Sequence, residues 1–527
     1  MTLRRPPRTD FATPTRRDAL TGLGVVGAAA ILPRRAAATG GTTLRIRSEA
    51  PLTELDPAFA RAVTDEEVLA PIYSKLIQYR PGREWGWQLD AAAEIEQIDK
   101  RHIRFALRDD IGFTNGFGPL TADDVKHSLE RIADPATGSP NRADLGAFLR
   151  VQTIGEREGV IVFGDPFAPI WTIALPYLAG NILSRQALLQ APDGRFSDRV
   201  LASSGPYMLP EQRAGERTTL EANPDWRGAT PGFERIEIVP IADQMEAETA
   251  FVDGDVAFTE ISLGSVPGYR TGVPRDGRMQ VFPSLDYVWV GMNLDNPKLK
   301  DPALRQAIQH AIDVPTILDA AYVGAPKPAT GILPPGVIGH RSESSVPPTA
   351  DFVRAIDLMK ESGARDVSLT IDLPDERAFV KAAEVMRTTL AVIGVTLEIR
   401  THAPETFWSL GVEAKGDAWQ DLELVMNRFS MPPDPYYATA WFTQRQIGVW
   451  NWERFRSNEF DALHDAAFQE ADPERRGAFY ERAQALMEKS GAYRFLTHGA
   501  RPVVWEADLR PALRPDGRPL LRYFERI

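Results

Sequence analysis

The apolar positions of this chain change period as it runs. Leu44-Arg45-Ile46 alternates like a strand, and Leu55-Asp56-Pro57 interrupts it. The spacing then predicts a helix over residues 66–77, ending near Tyr79. Ile103, Phe105 and Leu107 occupy every second position, the mark of a half-buried strand. Thr121-Ala122-Asp123-Asp124 has the form of a capping box, in which the hydroxyl accepts from N–H groups of the first turn. Val125, Leu129 and Ile132 then share one helical face. Ser204-Gly205-Pro206-Tyr207 reads as a turn, and strands are expected over residues 218–221 and 234–239. Asp253-Gly254-Asp255 is a second turn, before the short apolar run Val256-Ala257-Phe258.

The second half is more regular. A strand is expected over 287–292, and Asp301-Pro302 then supplies an N-cap with proline at the first helical position. Leu304, Ala307, Ile308, Ala311 and Ile312 continue that helix as one stripe. A strand over 369–373, a helix over 379–393 and a strand over 395–399 form the repeating unit of an α/β lobe with a parallel sheet. A further strand is expected over 422–426, and long helices over 460–468 and 474–489.

Composition narrows the function. With 527 residues the chain is long enough for two to four core-forming units. The net charge of −12 argues against a nucleic-acid partner, since phosphate needs concentrated Lys and Arg. Residues 1–38 stand apart: they carry a net +5, leaving −17 on the remainder. There Arg16-Arg17 precedes a weakly apolar run over 20–32, and Ala36-Ala37-Ala38 offers the small residues a signal peptidase reads. This segment resembles a Tat signal peptide, which exports folded proteins. The chain has no cysteine, which rules out disulfides, thiolate metal sites and a lipidated N-terminal cysteine. A freely diffusing periplasmic protein, not lipid-anchored, is the expectation.

In order along the chain come Leu55-Asp56-Pro57, Ile72-Tyr73-Ser74-Lys75-Leu76, Phe105-Ala106-Leu107-Arg108 and Pro119-Leu120-Thr121-Ala122-Asp123-Asp124-Val125. Ser204-Gly205-Pro206-Tyr207, Asp301-Pro302-Ala303-Leu304-Arg305-Gln306-Ala307, Asp434-Pro435 and Glu459-Phe460-Asp461 follow. This collinear set resembles family 5 of the ABC-transporter extracellular solute-binding proteins, the dipeptide/oligopeptide/nickel-binding type. The resemblance implies an α/β, two-lobed periplasmic binding protein (type II, cluster C-like) with an extra inserted domain and a hinge between lobes. Residues 41–63, 203–286 and 498–527 would form lobe I, 64–202 its inserted domain, and 287–497 lobe II. A ligand would bias an open–closed equilibrium, and the monomeric closed form would dock on an ABC permease driven by cytoplasmic ATPase subunits.

Ligand contacts in such a fold come from loops at the lobe interface. The segment from Asn427 to Tyr437, with Pro432-Pro433, is expected to be a rigid loop after a strand. Arg428, Phe429 and Met431 lie on it, and Trp441, Trp450, Asn451 and Trp452 add aromatic surface downstream. Peptide-binding members that hold a free α-amino group use an aspartate four residues before the loop proline; here that position is Met431. A thioether cannot pair with an ammonium, so Arg428 facing an anionic group of the ligand becomes the expectation, against a surface acid as its partner. Arg377, at the loop Leu373-Pro374-Asp375-Glu376-Arg377, is a second cationic candidate, with Trp408, Trp289, Trp85 and Tyr73 as further contacts. The same aromatic residues also suit an ordinary core.

The seven histidines show no pair at ligand spacing, so no metal site and no cofactor are expected. No GxSxG, HExxH, P-loop or thiol is present, and the expectation is a binding protein, not an enzyme. The alternatives are a sensor or chaperone-type binding protein, and a periplasmic hydrolase built from carboxylates distant in sequence.

Overall fold

The computed structural model describes residues 43–210, 215 and 217–527. The signal segment expected over residues 1–38 lies outside them. Among the described residues no helix is long and apolar enough to cross a membrane.

Three larger sheets organise the chain. The first has seven strands in the order Arg278–Phe282, Arg501–Trp505, Phe258–Glu260, Thr43–Ser48, Arg235–Pro240, Thr218–Ala222 and Tyr207–Met208. Its centre is Thr43–Ser48, whose alternation buries Leu44 and Ile46 opposite Ile236 and Ile238. The second has five strands: Val395–His402, Val367–Pro374, Leu424–Ser430, Asp286–Met292 and Tyr493–Thr497. Val367–Pro374, the helix Arg377–Ala391 and Val395–His402 form the expected parallel unit, with Val367 opposite Val395. The strand Asp286–Met292 separates two cores, as a period of two requires. Val288, Val290 and Met292 pack with Ile308 and Met386 on one face, while Tyr287 and Trp289 join the larger core on the other.

The third sheet is antiparallel: Ala92–Asp99, His102–Leu107, Glu158–Phe163 and Phe148–Thr153. Alternation predicts only the strand around Ile103–Leu107. Its neighbour Ala92–Asp99 changes register between Ala92 and Glu94, and an extra residue of this kind erases a period of two. The helix Ala122–Ala133 packs beside this sheet, burying Val125, Leu129 and Ile132. It starts with the expected capping box: the Asp124 N–H donates to Thr121 Oγ1 (3.3 Å) and the Thr121 N–H to Asp124 Oδ2 (2.9 Å). Asp301 caps Pro302–Ala311 with its side chain alone, accepting from the Ala303 N–H at 2.7 Å.

Two expectations are corrected. The helix predicted over 66–77 is only Val63–Leu69, and Ile77–Tyr79 is a strand. Pro71 accounts for this, because it has no N–H to continue the helical hydrogen bonds, although Ala70 before it keeps helical geometry. The Gly205 N–H then donates to Ile72 O at 2.8 Å, and any β-carbon at Gly205 would lie 2.3 Å from Pro71 O. The other correction concerns the loop expected from Asn427. The strand Leu424–Ser430 runs on through it, paired residue by residue with Asp286–Met292, so irregular chain begins at Met431.

The chain passes between the first two sheets at residues 283–285 and again at 498–500. The crossings lie side by side: the Ser284 N–H donates to His498 O (3.2 Å), and a β-carbon on Gly499 (φ 70°) would crowd Ser284 Oγ at 2.8 Å. The segment holding the third sheet touches both sides. Its Gly82 N–H donates to Leu513 O at 3.0 Å, and its Trp85 N–H to Gly336 O at 2.9 Å.

Candidate functional site

A cavity of about 420 Å³ lies where these three parts of the chain meet. Tyr79, Trp85, Asp144, Ile173 and Tyr177 come from the segment with the third sheet. Ser284, Leu285 and Asp286 come from the first crossing, and Ser430, Met431, Pro432 and Pro433 from the end of a strand of the second sheet. Arg501, Arg514, Asp516 and Arg518 close it from the C-terminal part. Its volume falls within the range of pockets that hold small organic ligands.

The arginines of this wall are already engaged. Arg501 pairs with Glu260 and with Glu49 (3.3 Å), and Arg514 with Glu66 (3.0 Å) and Asp516 (3.4 Å). Arg518 pairs with Glu67 at 2.9 Å. Burial pushes the Glu67 and Glu260 carboxyls up, and the neighbouring guanidiniums pull them back toward the charged form. Among the described residues Asp286 meets neutral donors, the hydroxyl of Ser430 and that of Ser284 (3.0 Å), whose single proton it shares with His498 O.

Asp144 is different. It has no hydrogen bond or ion pair among the described residues, and burial pushes its carboxyl up to about 6. It stands on the short 3₁₀ turn Pro140–Leu145, which is firmly held. Asn141 Nδ2 donates to Pro57 O (2.9 Å) and Ala60 O (3.0 Å), and Leu145 is buried. Gly146 ends the turn at φ 55°, where a β-carbon would sit 2.5 Å from the Phe167 ring, so no other residue fits.

Of the residues predicted from sequence, Met431 and Trp85 line the cavity. Met431 is buried, and its N–H donates to Leu285 O at 3.0 Å. Phe429, Trp441, Trp450 and Trp408 come together beside it as an aromatic cluster. Phe429 lies 5.9 Å from Trp408, 5.7 Å from Trp450 and 6.3 Å from Trp441, ring centre to ring centre. Trp289 forms the buried floor of this cluster, 5.0 Å from Phe429. Its indole N–H donates to Glu453 at 2.7 Å, and burial pushes that carboxyl up to about 7.

The remaining candidates do structural work. Trp452 is buried against Phe407, with its indole N–H on Val449 O (3.0 Å). Asn451 is buried too: its amide donates to Phe442 O, Thr443 O and Phe455 O, and its carbonyl accepts from the Phe455 N–H. Tyr73 is buried with its hydroxyl on Leu55 O at 3.1 Å. Arg428 points to the opposite side of its strand from Phe429 and lies 3.6 Å from Glu376. Arg377 is exposed at the start of its helix. Neither arginine lines the cavity.

Sequence reasoning missed Asp144, Tyr79 and Tyr177, and the paired arginines. No local signal marks them, because the cavity joins positions from Val63 to Arg518. Asp434, noted only as part of a motif, proves to be an anchor of the Met431 loop. It is fully buried in a bidentate pair with Arg476 (2.7 and 2.8 Å) and also accepts from the Thr172 hydroxyl.

The Ser284 hydroxyl lies between His498 O (2.7 Å) and the Asp286 carboxylate (3.0 Å), and the His498 ring is directed at Asp286 O (3.1 Å), so the histidine is not aimed at the serine hydroxyl. Burial lowers His498 to about 3. Among the described residues no three or more His, Asp or Glu side chains converge to hold a metal ion.

Residues 87–448 match the model of the bacterial extracellular solute-binding proteins, family 5 Middle. The chain belongs to this family. It is a two-lobed α/β solute-binding component of the ABC-importer class. Family 5 relatives include the probable D,D-dipeptide-binding periplasmic protein DdpA of Escherichia coli (strain K12). The chain is 25% identical to it over 461 residues, 84% of this chain and 86% of that protein. The fold is that of HbpA2 from Haemophilus parasuis, with a TM-score of 0.80 at 20% identity over 92% of this chain and 100% of that one. It is likewise that of the periplasmic murein tripeptide binding protein MppA in its unliganded open form, with a TM-score of 0.82 at 18% identity over 92% and 97%.

Proposed function

We propose that this chain is the periplasmic substrate-binding subunit of an ABC importer, capturing a small peptide or peptide-like solute between its lobes. The cavity bounded by Tyr177, Leu285, Met431 and Arg514 carries this reading, because its wall draws on every part of the fold. Its modest volume suits a short peptide better than a long one. The names of relatives such as DdpA support a peptide-like cargo.

In this reading residues 41–63, 203–286 and 498–527 form one lobe, 64–202 its inserted domain and 287–497 the other lobe. The paired crossings at Ser284 and Gly499 act as the hinge. Met431 and Trp85 contact the ligand, and the partly exposed rings of Phe429, Trp408, Trp441 and Trp450 extend the wall. Arg428 and Arg377 stay at the surface. Residues 1–38 direct export through the Tat route, and the monomeric, non-catalytic protein hands its solute to a membrane permease.

Mass spectrometry of the solute retained by the purified protein tests this reading, backed by thermal-shift screening of dipeptides, opines, oligosaccharides and nickel chelates. A short peptide or peptide-like compound is the expected hit. Stabilisation by sugars or metal chelates alone would overturn it.

A further inference from the structure

We infer that Asp144 is the residue that selects for a positively charged amino group on the solute, a role that rests on the peptide reading above. Three observations converge on it. Asp144 lines the cavity while lacking any hydrogen bond or ion pair among the described residues. The turn that carries it is pinned by Asn141 and by the close packing of Gly146 on Phe167, so the carboxylate is preorganised and not a flexible surface group. The cavity's own cations are committed elsewhere, Arg501 to Glu49 and Glu260, Arg514 to Glu66 and Asp516, and Arg518 to Glu67.

A partly desolvated carboxylate without a counter-charge is costly to keep ionised, which is why its proton is held up to about 6. An ammonium delivered by the solute removes that cost and gains a charge-assisted hydrogen bond at a partly desolvated carboxylate. Met431, another lining residue, supplies dispersion contacts and no charge. Asp286, the other cavity carboxylate facing hydroxyls, accepts from Ser430 and shares the single Ser284 proton with His498 O, so part of its accepting capacity is already used. The solute's amine is therefore bound from the inserted segment, and not from the Met431 loop.

The test is calorimetric titration of the full chain with L-alanyl-L-alanine, D-alanyl-D-alanine and trialanine, each free and N-acetylated, on wild type, Asp144→Asn and Asp144→Glu. At least one free peptide is expected to bind wild type, and its acetylated form or the Asn variant to bind at least about 30-fold more weakly. Asp144→Glu, which keeps the charge, should recover part of the affinity. Ligand-free Asp144→Asn should melt no lower than wild type at pH 8, since it removes a charge that burial disfavours. Equal binding of free and acetylated peptide, or undiminished binding by Asp144→Asn, overturns the role of Asp144 and leaves the peptide reading standing. Equal loss in the Asn and Glu variants, or a lower melting temperature for ligand-free Asp144→Asn, also overturns it. A wild type that binds none of the free peptides overturns both.

Discussion

Two neighbouring regions, the aromatic cluster around Phe429 and the cavity around Asp144, are built on opposite principles. In the cluster the rings occupy one another: Trp289 contacts Tyr287, Phe429 and Phe442, and its one polar atom is taken by Glu453. In the cavity the Asp144 carboxylate has no hydrogen bond or ion pair among the described residues. A dense run of tryptophans is conspicuous in a sequence, yet most of its surface is consumed by packing within the protein. A single unpaired acid is inconspicuous, yet it is the group with free energy left to give to a ligand. Unspent interactions mark a candidate binding site better than abundant ones do.

Variants can break or sharpen this contrast. The largest effect is expected from Trp289→Ala, which should cost about 3–5 kcal/mol of stability in chemical denaturation because a fully buried ring is lost. A well-folded Trp289→Ala protein with lost solute affinity would instead make the cluster the binding wall. Glu453→Gln comes next. Its carboxyl is held near 7 in the fold, above its ordinary value of 4.5, so the folded state resists its charge. The contribution of Glu453 to wild-type stability should therefore fall as pH rises from 4.5 to about 7 and level off above, against the opposite contributions of the buried His464 and His498. Glu453→Gln should match wild type near pH 4.5 and exceed it by about 2–3 kcal/mol at pH 8, by denaturant titration. A flat difference across that range would show that Glu453 does not titrate there. The smallest effect belongs to Trp408→Ala, which should cost less than about 1 kcal/mol, since the side chain is 39% exposed.

Much of the scaffold was legible because its signals are local. The Thr121–Asp124 box, the Asp301-Pro302 start and the 367–402 strand–helix–strand unit each depend on neighbours within one element, and each appears where periodicity put it. Residues 70–77 misled because apolar spacing continued past Pro71, which the backbone could not follow. Asn427 to Ser430 look like loop by composition, but pairing with Asp286–Trp289 holds them in a strand, a tertiary effect. The site was less legible still. Met431 and Trp85 could be named from sequence, but pairing of Arg428 with Glu376 and of Arg514 with Glu66 depends on residues 52 and 448 positions apart. That Asp144 lacks a partner is a property of the whole fold and leaves no trace in its own segment.

The account stands or falls on where the solute sits. A crystal structure of the protein with its retained solute should show density inside the cavity between Tyr177, Leu285 and Met431, with an amine nitrogen within hydrogen-bond distance of Asp144. Solute density stacked on Trp408 and Trp450, with that cavity filled only by water, would contradict it.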